Sequence, residues 1–398
     1  MMKALRVLIV SEMSVPYATG GGETRYALLA RELAARGHEV TWLSMKQRSS
    51  PLHERIDGVQ HVHVGPRLLR PPVRTLVQKL HHMAALAWHL MRHRYDLVDC
   101  QPYAPLPAAW LICTLRRMPL VASIHDTSAP PTAVASGNDQ WLSATDRRLA
   151  ALVEGILYRL PYRRVLTGAH AVGADLAGRF GVPASRISVA ANGVDVRQLA
   201  ACAPDPRPCD LVFAGRLVPH KHPEHLVRAA ALVQARRLAQ GRPALRIKIV
   251  GAGPLQEAVQ QELASTSLQD AVVWQGEEAK HEAVIGHIRS ARVLVLPSTR
   301  EGFGLVLTEA MAVGTAVLAY DIPAVRETLG PTLQDALVPA SDLQALAAAI
   351  ERLLDDEVHH ASQVEAGRLR VASAFDVRGF ADRVLAAYAL ALGHTPTG

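Results

Sequence analysis

Two successive series of short apolar segments, each followed by a stretch with helical periodicity, constrain this chain more than any other feature. In the first series, 4–11 reads as a buried strand, 20–22 as a glycine turn, 23–35 as a helix ended by Gly37, and 40–44 as a returning strand. Further strands are expected at 61–64, 96–100, 120–124 and 187–190. The proline-rich stretch 200–209 reads as a linker, after which the alternation resumes. Strands fall at 211–214, 244–250, 272–275, 293–296 and 316–320, with helices at 223–240, 254–264, 280–290, 305–313, 342–354 and 377–392. Strands that are apolar throughout and separated by helices belong to a parallel sheet covered on both faces. The expected fold class is α/β, with two doubly wound parallel-sheet domains facing across a cleft and a ligand at the carboxyl ends of the strands.

The chain of 398 residues is long enough for two such domains. A mean hydropathy of +0.10 indicates a globular protein, and no uninterrupted apolar run is long enough to span a bilayer. The first eleven residues read as a strand entering a glycine turn, not as a signal peptide. Cys100, Cys113, Cys202 and Cys209 form neither a CxxC pair nor a Cys/His metal pattern and read as buried free thiols. These points place the protein in the cytoplasm. A formal net charge of +7 favours an anionic partner, yet low aromatic content and the lack of any nucleic-acid module exclude nucleic acid.

The segment 298–314, Ser-Thr-Arg-Glu-Gly-Phe-Gly-Leu-Val-Leu-Thr-Glu-Ala-Met-Ala-Val-Gly, carries the chemistry. It joins a buried strand to a helix that Gly314 ends, with Glu301 in the turn and Glu309 about two helical turns further on. Gly302 and Gly304 let the backbone pass close to a ligand, and the N–H groups of Phe303, Gly304 and Leu305 are donors at a helix start. That arrangement suits an anion with hydroxyls beside it, such as the diphosphate of a nucleotide-sugar. Glu309 is placed to accept both ribose hydroxyls, with a helix-terminal carboxylate favoured by the macrodipole as the structural alternative. A nicotinamide enzyme is a poor fit. The first turn lacks the G-x-G-x-x-G spacing, no acidic residue ends the second strand, and Pro254 interrupts the other glycine cluster, Gly251-Ala-Gly-Pro.

The two glutamates around Glu-Gly-Phe-Gly resemble the EX7E signature of retaining GT-B glycosyltransferases of family GT4. Further motifs resemble that family in its order: Gly21-Gly22 with Arg25, Gly37-His-Glu-Val40, His125 at a strand end, Asn192-Gly-Val-Asp195, Arg216 with Lys221, and Gly251-Ala-Gly-Pro254. The resemblance covers nearly the whole chain. It implies Rossmann-like domains at 1–200 for the acceptor and 201–376 for the donor, with 377–398 crossing back onto the first. By the same resemblance, Arg216 and Lys221 hold the donor diphosphate and Glu301 binds a sugar hydroxyl. His125 lies close to the donor sugar, with Asp126 orienting it, and the Gly21-Gly22 loop admits the diphosphate or acceptor. Two cations beside a departing nucleoside diphosphate offset charge that grows as the glycosidic bond breaks. The chain has no Asp-x-Asp, so no metal and no cofactor are expected.

The activity implied is transfer of a hexosyl group from a nucleotide-diphosphate sugar, UDP-linked in preference to GDP-linked, to a hydroxyl of a small-molecule or lipid acceptor. A sugar-nucleotide epimerase of the same fold and a non-catalytic nucleotide-sugar-binding protein are the alternatives. Between Asp57 and Asp96 there is no acidic residue, and a helix over 74–94 carries Leu76, Leu80, Met83, Ala87 and Leu90 on one stripe flanked by Arg and His. Two readings stand: a helix packed on its sheet with a solvated basic face, or peripheral contact with an anionic membrane.

Overall fold

The computed structural model describes residues 3–18, 20–47, 49–68, 75–127, 144–276, 278 and 280–394, with the backbone alone for 144–151. The chain forms two compact units: Met1–Ser128 with Leu149–Gly193 and Val377–Gly398, and a second built on Val194–Asp376.

The first unit contains β1 (Arg6–Val10), α1 (Gly21–Ala35), β2 (Glu39–Gln47), β3 (His53–Ile56), β4 (Val59–Leu68), α2 (Leu76–Arg92) and β5 (Leu97–Cys100). It continues with α3 (Pro105–Arg116), β6 (Leu120–Ser123), α4 (Ala144–Arg159), β7 (Arg164–Thr167), α5 (His170–Phe180) and β8 (Ile187–Val189). The strands run in the order β3-β4-β2-β1-β5-β6-β7-β8. Central strands are apolar on both faces, as helices on either side require; β1 is buried from Val7 to Val10. One pair departs from the expected parallel sheet: β3 and β4 form an antiparallel hairpin in which Ile56 faces Val59. Its turn is Asp57-Gly58, both at positive φ, a two-residue turn whose twist matches the strands it joins.

The second unit contains α6 (Val196–Ala201), β9 (Cys209–Ala214), α7 (Pro223–Ala239), β10 (Ile247–Val250), α8 (Gln256–Ala264), β11 (Val272–Gly276) and α9 (His281–Arg289). After these come β12 (Ala291–Leu296), α10 (Leu305–Val313), β13 (Ala316–Tyr320), α11 (Pro323–Leu329), β14 (Leu337–Val338), α12 (Leu343–Asp355) and α13 (Glu357–Ala374). Its strands lie in the order β11-β10-β9-β12-β13-β14, every pair parallel. The proline-rich stretch 200–209 packs on this unit. Asp205 is buried against Lys248 at 3.3 Å and His287 at 2.7 Å, and Arg289 Nη1 donates to the carbonyls of Ala200 and Cys202.

The final helix, α14 (Val377–Ala391), belongs to the first unit, where Phe380, Ala381, Val384, Ala387 and Tyr388 enter the same apolar cluster as Val7, Ile9 and Leu29. Polar groups fix its position. Asp99, fully buried in β5, accepts from Ser123 at 2.6 Å, from Tyr26 of α1 at 3.0 Å and from Tyr388 of α14 at 2.6 Å. Burial pushes its carboxyl above the usual range, while the three hydroxyls and the Arg25 charge pull the other way. Arg25 itself is buried over the Phe380 ring at 4.6 Å, donating to the Ala190 carbonyl at 3.3 Å and to Asn192 Oδ1.

Helix α2 starts where a capping box says it should, with Thr75 Oγ1 accepting from Gln78 N and Gln78 Oε1 from Thr75 N. Its buried stripe differs from the expected one. His82, Leu86 and Leu90 face inward, whereas Leu76 and Leu80 are exposed. The helix approaches β4 so closely that His82 Cα lies 3.1 Å from where a Cβ on Gly65 would sit. The face bearing His82 thus meets β4, and much of the apolar surface of the helix lies outward.

Tyr388→Phe removes one of three donors from a buried carboxylate, a change worth about 1–3 kcal/mol. The urea midpoint of the first unit should fall accordingly; an unchanged midpoint would show that Ser123 and Tyr26 suffice for Asp99.

Candidate active site

Strand β9 ends at Ala214 and the chain turns through Gly215, Arg216 and Leu217, with Leu217 buried as an anchor. This turn docks on the one after β10: Gly215 N donates to the Val250 carbonyl at 3.0 Å, Leu217 N to that of Ala252 at 2.9 Å, and Leu255 N to that of Leu217 at 3.0 Å. The approach is possible only without side chains. A Cβ on Gly251 would lie 2.0 Å from the Gly215 carbonyl oxygen, and one on Gly253 2.4 Å from that of Leu217. The Gly-Ala-Gly-Pro cluster thus shapes the turn that presents Arg216.

Arg216 is exposed, and Lys221 follows it in a short 3₁₀ turn, Pro219–Lys221. Lys221 Nζ donates to Glu301 Oε1 at 2.7 Å, the two side chains being 15% and 12% exposed. A pair this sheltered from water is more than a solvated surface contact. The two loops are clamped to each other as well, by Thr299 N to the His220 carbonyl at 2.8 Å and by His222 Nε2 with Thr299 Oγ1 at 3.0 Å. Between them His220 is buried. Burial, then the charges of Arg300, Lys221 and Arg216, push its pKa down to about 3, so the imidazole is neutral. Three cations therefore act on one small volume. Arg300 was not among the residues singled out from the sequence, although it adjoins Glu301.

Past Glu301, Gly302 is half-buried and the Phe303 ring turns into the core, edge-on to Phe375 at 5.3 Å. Only backbone is left to face a ligand there. Gly304, at φ 84°, precedes Leu305, the first residue of α10; no side chain caps this helix start, and Leu307 N donates to the Gly304 carbonyl at 2.9 Å. Glu309 is buried on α10, with its Oε1 3.1 Å from Nε2 of His281. Burial opposes charge on His281, but the Glu309 carboxylate raises its pKa above the ordinary value. The two glutamates thus hold separate cationic partners, Lys221 and His281.

In the first unit, Gly21 and Gly22 are the opening residues of α1. A Cβ on Gly21 would meet nothing within 4 Å, and one on Gly22 would lie 3.1 Å from Gln101 Nε2. His125 follows β6, and its two ring nitrogens are out of water without a hydrogen-bond partner among the described residues. Burial, followed by the Arg25 charge, lowers its pKa well below the ordinary value, so it too is neutral. Asp126 does not orient it, contrary to expectation; its Oδ1 accepts from the N–H of the next residue, Thr127, at 2.9 Å. Arg25 also departs from its expected place at the glycine loop, because the Ala190 and Asn192 oxygens hold it inside the unit.

Among the described residues, His222, Glu224 and His225 form the group spaced for a metal ion. The imidazoles stack, with centroids 4.5 Å apart and planes 16° from parallel, so their in-plane lone pairs do not converge. Each ring also has a protein partner, Thr299 for His222 and Tyr320 for His225 at 2.8 Å. The cluster reads as a hydrogen-bond network behind Lys221.

With this geometry in view, the relatives of the chain are informative. Residues 203–370 match the family described as glycosyl transferases group 1, and residues 19–198 match glycosyltransferase family 4. A D-inositol 3-phosphate glycosyltransferase of Kineococcus radiotolerans is 30% identical, over 88% of this chain and 87% of its own. A glycogen synthase of Mycobacterium tuberculosis is 26% identical, over 94% and 91%. Among solved structures, sucrose-phosphate synthase of Thermosynechococcus elongatus superimposes with a TM-score of 0.80 at 23% identity, covering 96% of this chain and 98% of that one. HepE of Anabaena, solved with UDP and glucose, gives 0.71 at 18% identity, covering 97% and 99%. The fold is GT-B, built from two Rossmann-like units. The chain belongs to the family 4 glycosyltransferases, and its activity is glycosyl transfer from a nucleotide-sugar.

Proposed function

We propose that this enzyme moves a hexosyl group from a nucleotide-diphosphate sugar to an acceptor hydroxyl with retention of configuration and without a divalent metal. The observation that carries this reading is the cationic turn of Arg216 and Lys221, joined to Glu301 and centred on a neutral His220. As the C1–O bond to the diphosphate breaks, negative charge collects on the leaving phosphate. Arg216, Lys221 and the first turn of α10 stabilise it. The acceptor oxygen then bonds C1 from the same face and passes its proton to the departing phosphate oxygen. Glu301 and Glu309, paired to Lys221 and His281, serve binding rather than nucleophilic attack. Glu309 takes the ribose hydroxyls and Glu301 a hydroxyl of the sugar. His125, neutral and with both nitrogens unpartnered, offers one donor and one acceptor to an uncharged polyol. Uridine is the favoured base, in line with the UDP in the HepE structure, and a guanosine donor is the second choice. A cyclitol hydroxyl is a reasonable acceptor, given the relative that acts on D-inositol 3-phosphate.

We further propose that the first unit meets an anionic membrane through α2. Among the described residues no helix is long and apolar enough to cross a bilayer. On α2, however, Leu76, Val77, Leu80, Trp88 and Met91 are each more than half exposed. At about 100° per residue they fall within an arc of roughly 120°. The packed neighbour α3 adds exposed Leu111 and Leu115. Arg92 lies over the Trp88 ring at 4.1 Å, and no acidic residue occurs on either helix. An apolar arc with a purely basic rim is complementary to an anionic lipid surface.

Three outcomes follow from these readings. Activity in excess EDTA should match the untreated enzyme, and loss restored by magnesium would refute metal independence. Glu309→Ala should mainly raise KM for the donor, whereas Lys221→Ala should mainly lower kcat, since leaving-group charge exists in full only on bond cleavage. A pure KM effect of Lys221→Ala would reassign that residue. Finally, the protein should sediment with phosphatidylglycerol vesicles at low salt, stay unbound to phosphatidylcholine, and be released near ~0.5 M salt, where screening lengths shrink to a few Å. Leu80→Ser with Trp88→Ser should abolish sedimentation; a vesicle-independent dimer dispersed by the same changes would make the face a self-association surface instead.

A further inference from the structure

The partner of Glu309 has no counterpart in the motifs that mark the donor site. His281 is the first residue of α9, and its Nε2 approaches Glu309 Oε1 at 3.1 Å. No other described residue hydrogen-bonds Glu309, so Oε2 has no protein partner among them. A carboxylate this buried needs a hydrogen-bonding partner within the protein. The His281 side chain is part-exposed, whereas that of Glu309 is shut in. We propose that His281 is a positioning residue of the donor site, its Nε2–H holding Glu309 in one rotamer and leaving Oε2 for the ribose hydroxyls. The inference rests on the donor-site reading of Glu309 given above.

The electrostatic surroundings support it. Burial disfavours the imidazolium, but Glu309 from α10 and, to a smaller extent, Glu282 of the same helix more than offset that cost. On the far side of α9, His287 is engaged with Asp205 and Glu278, so those charges are spent elsewhere. The sign follows. A raised folded pKa means that the charged pair is complete below the ordinary histidine value and is lost as pH rises through the raised one. Donor affinity should therefore be highest on the acid side and weaken as His281 loses its proton. A nucleotide-sugar carries no phosphate group that titrates there, so the dependence would belong to the protein.

The test is calorimetric binding of UDP-glucose and of GDP-mannose between pH 6 and 8.5, paired with steady-state kinetics on whichever donor binds. His281→Gln should weaken donor binding roughly five- to twentyfold at pH 6.5, leave kcat nearly unchanged, and flatten the pH dependence. The ring titration of His281 followed by NMR needs no change in activity. It should lie above the ordinary value in the native protein and drop in Glu309→Gln. A His281→Gln protein with native affinity and native pH profile, or a His281 titration indifferent to Glu309→Gln, would overturn the proposal. Unaltered donor binding in Glu309→Ala would instead remove the ribose reading itself.

Discussion

A carboxylate sealed in an apolar sheet must be satisfied from within the protein, and Asp99 imposes that condition on the first unit. Its three donors come from α1, from β6 and from α14, elements spread over the full length of the chain. Hydrophobic burial alone would let the last helix slide along the sheet, because apolar contact is non-directional. The Tyr388 hydroxyl removes that freedom, and Arg25 completes the fixation by bridging the Asn192 side chain while lying over Phe380. The chain can therefore leave the first unit at Gly193, build the whole second unit, and return at Val377 to a defined place.

Within the second unit the same logic serves chemistry. Positive charge gathers on turns that follow β9 and β12, and the buried His220 stays neutral because a further proton would meet burial and cations together. Glu301 pairs with Lys221 and His281 with Glu309. These pairs hold Glu301 and Glu309 in defined positions.

Much of this was legible in the sequence, and what was not has physical causes. Apolar strands alternating with helices announced the parallel sheets because burial on both faces leaves no polar alternation to misread. The hairpin strand β3 escaped because His-Glu-Arg-Ile has no strand pattern, although the Asp57-Gly58 turn beside it was a usable signal. The α2 stripe was assigned from spacing alone; which arc faces inward depends on the close approach to β4 at Gly65. Arg216, Lys221, Glu301 and Glu309 were recognisable by type and spacing. Their pairing was not, since Lys221 and Glu301 are 80 residues apart in sequence. The burial of Arg25 was not legible because arginines are seldom buried and the oxygens that draw it inside lie beyond residue 189.

The hairpin has a further meaning for how copies of this protein meet one another. An eight-stranded sheet that ended on β4 would expose a ten-residue strand with a free row of backbone donors and acceptors. Folding β3 back over it puts a four-residue strand at the border instead, with His53, Glu54 and Arg55 along it. So short and charged a margin gives an incoming strand little to pair with and a desolvation penalty for trying. The opposite border, β8, is shorter still at three residues. Both ends of the sheet are thus poor templates for edge-to-edge growth, a protection useful to a chain whose parallel strands come together only after long crossovers have formed.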